Sequence, residues 1–235
     1  MGLPGAELML DLLKKADSIG PRMFLVEALG RMPEAFPLVA ALVKSTRSAE
    51  VRLGADLMGR LVLPEGIPLL AAQAMHPDER VRISIIDALT NYRDKGVVEP
   101  LRQALSHNSA ATRAHAGRAL ATRGSGAIAM PIAAALDSEK DPAAWEELLS
   151  ALASIDAPES AAALAQIALQ KRGIFPLGGA LIRRQLAVVR ALYHANTVAA
   201  RQALVRIAAE GEGEVKKAAA ASVEQLGPLE DEVES

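Results

Sequence analysis

Aliphatic residues recur along the chain at spacings of three and four, in blocks that restart every thirty or so residues. Leu8 and Leu12, Leu38 and Leu42, and Leu101 and Leu105 each stand four apart, which puts both side chains of a pair on one helix face. The pattern predicts first helices near residues 4–16, 33–44, 65–75, 97–106, 127–136, 158–170 and 197–210. A second helix follows each after a short polar link, such as His76-Pro77-Asp78-Glu79 or Ser106-His107-Asn108-Ser109, which supplies turn formers and N-caps. Proline near the start of several first helices suits positions whose N–H has no helical partner. No segment alternates apolar and polar residues as a strand would.

Two markers share the period. A β-branched residue followed by a basic one recurs as Val51-Arg52, Val81-Arg82, Thr112-Arg113, Ile182-Arg183 and Val215-Lys216, with Trp145-Glu146 in the register of a further copy. Counted from Arg22, the intervals between second members are 30, 30, 31, 33, 37 and 33 residues. Proline–aliphatic pairs at Pro37-Leu38, Pro68-Leu69, Pro100-Leu101 and Pro131-Ile132 are spaced by 31, 32 and 31. Such a period marks a stack of supersecondary units, each too small to bury both its faces alone.

The proline–leucine pairs, the Val-Arg dipeptides and the Ala-Leu pairs (Ala28-Leu29, Ala88-Leu89, Ala119-Leu120) resemble HEAT-like repeats of the short, phycobilisome-lyase-like type, over essentially residues 4–227. The resemblance implies an all-α fold, a right-handed α-solenoid of about seven stacked helix pairs over residues 1–229, followed by an acidic tail at 230–235. It also implies a concave groove as the usual binding surface. Relatives of this fold include enzymes, and their residues are looked for one by one. No His-Glu dipeptide of the kind that holds iron in deoxyhypusine hydroxylases occurs. Trp145, Tyr193 and Asp156 stand at no spacing that supports a DNA glycosylase site, and six scattered aromatics give little for a lyase chromophore site. The expectation is a non-catalytic scaffold or adaptor with no cofactor. A HEAT-like lyase or glycosylase is the enzyme alternative.

Composition narrows the chemistry. With no Cys there is neither a disulfide framework nor a thiolate zinc site, and a cytoplasmic address is expected. The longest charge-free stretch, residues 124–136, is too short to span a membrane, and the acidic residues Glu7 and Asp11 argue against a signal peptide. His107 and His115 have no third ligand at a recognised spacing, so no metal is expected.

A net charge of −2 exerts no global pull on nucleic acid, yet the charge is unevenly spread. Residues 171–206 hold seven basic side chains and no acid, whereas residues 207–235 carry eight acids and two lysines. Arg183, Arg190 and His194 fall along one helical face. The same region holds the longest irregularity, about six residues inserted within 170–179. Arg172, Arg183, Arg184, Arg190 and His194, with Ile174 and Phe175 as apolar anchors, form the candidate site for a protein partner bearing an acidic segment. Nucleic-acid binding through 171–206 is the alternative for this region, and a third use is neutralisation of the acidic 210–214 and 230–234 segments. The repeated basic residues read as a ladder that satisfies polar groups between stacked units. Trp145 reads as core. Met23, Phe24, Leu53, Leu57 and Ile83 are either core or a mildly apolar groove across the first repeats.

Overall fold

The computed structural model describes residues 2–170 and 178–227. They form fourteen α-helices in order, with two short 3-10 turns at Pro33–Ala35 and Lys95–Val97. The helices group into two compact units, Met1–Ala119 and Leu120–Ser235. The tail at 230–235 lies outside the described residues.

In the first unit the helices are α1 (Leu3–Lys15), α2 (Ile19–Leu29), α3 (Phe36–Val43), α4 (Ser48–Leu61), α5 (Gly66–Ala71), α6 (Glu79–Thr90), α7 (Val98–Leu105) and α8 (Ala110–Ala121), the last crossing the unit boundary. Second helices pack on second helices, α2 on α4 and α4 on α6, while α3 packs on α4 and α5 on α6. Glycine makes the closest approaches possible. A Cβ at Gly59 would stand 2.8 Å from Ala88 Cα, and one at Gly54 would stand 2.7 Å from the Val43 nitrogen.

In the second unit the helices are α9 (Gly126–Ser138), α10 (Pro142–Ala153), α11 (Pro158–Ala168), α12 (Gly178–Ala195), α13 (Val198–Glu210) and α14 (Gly213–Leu226). First helices α9, α11 and α13 pack in sequence as one layer, and second helices α10, α12 and α14 as the other. Between the layers, and throughout the first unit, the core is small and aliphatic: Val, Leu, Ile and Ala, with Tyr92 the largest fully buried side chain.

The links do what their residues dictate. Asp78, Asp141 and Thr197 cap α6, α10 and α13 by accepting from the N–H groups of Arg80 (2.9 Å), Ala144 (2.9 Å) and Ala200 (3.1 Å). Pro33, Pro142 and Pro158 start their elements, whereas Pro131 lies inside α9. Helix α4 ends at Val62 with φ +50°, a left-handed conformation that a β-branched residue adopts at a cost.

Several sequence expectations are corrected. Leu101 and Leu105 are buried and Leu42 is too, but Leu8 and Leu12 are exposed, because α1 turns Ala6, Leu10 and Leu13 to the core instead. The helix expected over 65–75 is regular only over Gly66–Ala71 and continues as turns. Of the N-terminal apolar set, Leu57 is core, Leu53 and Ile83 are half-buried, and Met23 and Phe24 are 68% and 71% exposed.

Candidate partner-binding grooves

The basic ladder exists, in part. Arg82 is 5% exposed and its guanidinium donates to the carbonyls of His76 (2.7 Å) and Pro77 (2.9 Å) and to Thr112 Oγ1 (3.0 Å). Arg113 repeats the first half of this arrangement on His107 (2.8 Å) and Asn108 (3.0 Å), six and five residues back. Lys216 donates to the Ala209 carbonyl at 3.1 Å. These side chains satisfy carbonyls of the links, or in the case of Lys216 of the last turn of α13, that the helices leave without partners. The links carry a second repeated device. His76 and His107 each accept on Nδ1 the N–H two residues on, from Asp78 and Ser109, both at 3.0 Å. Burial, and then the positive charges of Arg82 and Arg113, hold the His107 pKa below its ordinary value. Asp78 is held below the usual carboxylate range by the Ser48 hydroxyl first, with the Arg80 N–H adding to it.

Arg52 and Arg183 are not ladder members. Both are exposed and neither has a hydrogen bond or ion pair among the described residues. Gln185, two positions after Arg183, takes the ladder role in α12, donating from Nε2 to the Ala168 and Gln170 carbonyls at 2.8 Å each. That register slip follows the longer interval before α12.

Trp145 is buried, as its position predicts, and Arg184 lies over its ring with the guanidinium carbon 5.1 Å from the centroid. Arg184 also donates to the Glu139 carbonyl at 3.2 Å. The buried Glu139 carboxylate accepts the N–H groups of Lys140 (2.8 Å) and Asp141 (2.9 Å), so α12 clasps the link that begins α10. Arg184 is therefore engaged within the chain. Arg201 and Arg206 are also engaged, with Asn196 Oδ1 (2.8 Å) and Glu210 (3.1 Å). Part of the basic run is thus neutralised locally. Arg172, Ile174 and Phe175 lie outside the described residues, as does the acidic 230–234 segment.

Arg190 and His194 line a groove of about 360 Å³ between α10 and α12. They stand four apart on one wall, and Glu146 and Ser150, four apart on α10, form the other. Ala153, Ala187, Ala191 and Ala195 are also in the lining, so the groove is shallow-walled and apolar between its polar lips. Arg190 has no hydrogen bond or ion pair among the described residues. The Tyr193 ring meets the His194 ring edge-on at 5.4 Å.

A second groove, about 460 Å³, runs across the second helices of the first unit. Its charged lining is Arg22, Arg52, Asp56 and Asp87. Asp56 accepts from Arg60 Nε at 3.1 Å, and Asp87 lies 3.4 Å from His115 Nδ1. Arg22 donates to the Leu13 carbonyl at 3.4 Å, which leaves Arg52 as the cation of this lining without a partner among the described residues. The signal for these acids was in the sequence: Asp56 and Asp87 are 31 residues apart, one repeat interval.

His107 and His115 have separate partners, and among the described residues no group of three His, Asp or Glu stands together to hold a metal. No described helix is long and apolar enough to cross a membrane.

Stacked helix pairs with basic side chains tied to the preceding link define a class, and comparison gives it a name. Residues 67–129 match the family model described as HEAT repeats. That stretch carries HEAT repeats. Among solved structures the chain is similar to one of the Pds5–Scc1 complex, at 10% identity over 93% of this chain and 39% of that one, with a TM-score of 0.51. It is also similar to an engineered protein (19% identity, 82% of this chain and 96% of that one, TM-score 0.49) and to human deoxyhypusine hydroxylase (18%, 89% and 80%, TM-score 0.40). Searching the curated proteins gave no match.

Proposed function

We propose that this chain is a non-catalytic, cytoplasmic protein-interaction scaffold that holds an acidic segment of a partner along the α10–α12 groove. The observation that carries the reading is Arg190: an arginine without an acceptor among the described residues, beside His194, over an alanine-lined groove of about 360 Å³. A carboxylate can take paired hydrogen bonds from such a guanidinium, and an aliphatic neighbour of that carboxylate fits the alanines. Glu146 on the far lip favours a segment with its acid on one side only.

Nucleic acid is a weaker fit. Of the described arginines between 178 and 206, Arg184, Arg201 and Arg206 already have acceptors in the chain, which leaves Arg183 and Arg190. Two phosphate contacts supply little of the electrostatic attraction on which such binding rests. Titration by fluorescence anisotropy separates the readings. Labelled peptides with glutamates beside leucine are expected to bind and to weaken with salt, while their lysine-substituted forms do not bind. Tighter binding of a labelled single-stranded oligonucleotide than of any acidic peptide would overturn the protein-partner reading.

A further inference from the structure

Eleven large hydrophobic side chains are exposed among the described residues, and six of them lie within the first 24 positions. On α1, Leu8 and Leu12 stand four apart, 63% and 50% exposed. On α2, Ile19 and Met23 do the same, with Phe24 beside them. Their spacing is that of a packing face, not of scattered surface residues.

The repeat itself identifies what such a face takes. Counted from the repeat basic residues Arg22 and Arg52, Leu8, Leu12 and Met23 correspond to Leu38, Leu42 and Leu53. In that second pair Leu42 is buried, and Leu38 and Leu53 are half-buried. Three of the positions left bare on α1 and α2 are thus wholly or partly covered in the next pair. An apolar stripe at this spacing is one that another helix can cover.

Charge selects which one. Asp11 and Lys15 flank the Leu8–Leu12 stripe on one side, four residues apart, and neither has an ion pair or hydrogen bond among the described residues. When two identical helices pack antiparallel about a two-fold axis, each flank faces the same flank of the partner. An axis level with position 13 sets Asp11 of one copy opposite Lys15 of the other, twice. The flank is its own complement.

We infer that the α1–α2 face is a self-association surface, through which two copies of this chain pair antiparallel with Leu8, Leu12, Ile19 and Met23 at the centre. Sedimentation velocity over a concentration series tests this on the full chain. The expected result is a weight-average mass that rises toward twice that of the monomer and goes no further. Leu12→Glu with Met23→Glu is expected to remain monomeric at every concentration, with the helical far-UV signal unchanged because both positions are exposed.

Asp11→Lys and Lys15→Glu are each expected to weaken pairing about tenfold. The double variant, with the two charges exchanged, is expected to recover it. A wild-type chain that stays monomeric at millimolar concentration overturns the proposal and assigns the face to a different protein. Growth beyond a dimer, or a double variant that pairs no better than the single ones, also overturns it, since either result means the contact is not the self-complementary one.

Discussion

Arg82 and Thr112 stand thirty residues apart in the chain, and the Arg82 Nε–H donates to the Thr112 hydroxyl at 3.0 Å, with both side chains buried. One side chain thus serves its own link, through the His76 and Pro77 carbonyls, and the next second helix as well. Arg82→Ala is expected to lower unfolding free energy by about 1–3 kcal/mol, since buried acceptors lose their donor. Arg52→Ala, at the same repeat position but exposed and without an acceptor among the described residues, should stay within about 0.5 kcal/mol. Urea unfolding of both variants checks the contrast. Equal effects would mean that the ladder contributes nothing at Arg82.

The difference between those two arginines also marks how far the sequence could be read. Helix order, approximate bounds and the two-layer stacking follow from periodicity, because each unit obeys the same local rules. The ladder was legible as a recurrence, but not which members bury themselves. Thr112 completes the site for Arg82, whereas Arg52 faces the open groove beside Asp56. Leu8 and Leu12 show the same limit: a stripe at four-residue spacing says that a face is apolar, not that something covers it. Arg184 was read as facing a partner because its charge is visible in the sequence. The Trp145 ring that takes it is 39 positions away and only the fold brings the two together.

Helix α4 and helix α6 meet at Gly59, where an added Cβ would lie 2.8 Å from Ala88 Cα. Backbone cannot yield as a side-chain tip can. Gly59→Ala should therefore destabilise by about 1–3 kcal/mol despite alanine's better helix propensity. A gain in thermal midpoint would show that α4 and α6 can separate freely.

Val62 ends α4 with φ +50° and an exposed side chain. Glycine adopts that conformation without the Cβ clash, so Val62→Gly should stabilise the fold by about 1 kcal/mol, offset in part by glycine's extra freedom when unfolded. Chemical denaturation of this single variant is sufficient. A loss of more than about 1 kcal/mol would mean that the left-handed cap costs valine nothing here.

His107 supplies the pH dependence. Its folded pKa lies below the ordinary 6.5, chiefly through burial, and its Nδ1 accepts the Ser109 N–H only when unprotonated. The unfolded chain therefore binds the proton first. The stabilising contribution is full above about pH 6.5 and is lost as pH falls through the lower folded value. Asp78, also held low, acts in the same direction but only below the ordinary carboxylate value of 3.8. His107→Asn keeps an acceptor for the backbone N–H without titrating. Wild type should lose stability more steeply than this variant between pH 7 and pH 5. Parallel curves would remove His107 from the account.

The central claim is that Arg190, in the α10–α12 groove, holds a carboxylate of a protein partner. The direct measurement is the affinity of an acidic, leucine-containing peptide for wild type, Arg190→Glu and Arg52→Glu at low salt. Arg190→Glu should weaken binding at least about tenfold, while Arg52→Glu, in the groove of the first unit, leaves it unchanged. Undiminished binding by Arg190→Glu, or equal losses in both variants, would contradict the assignment of this groove.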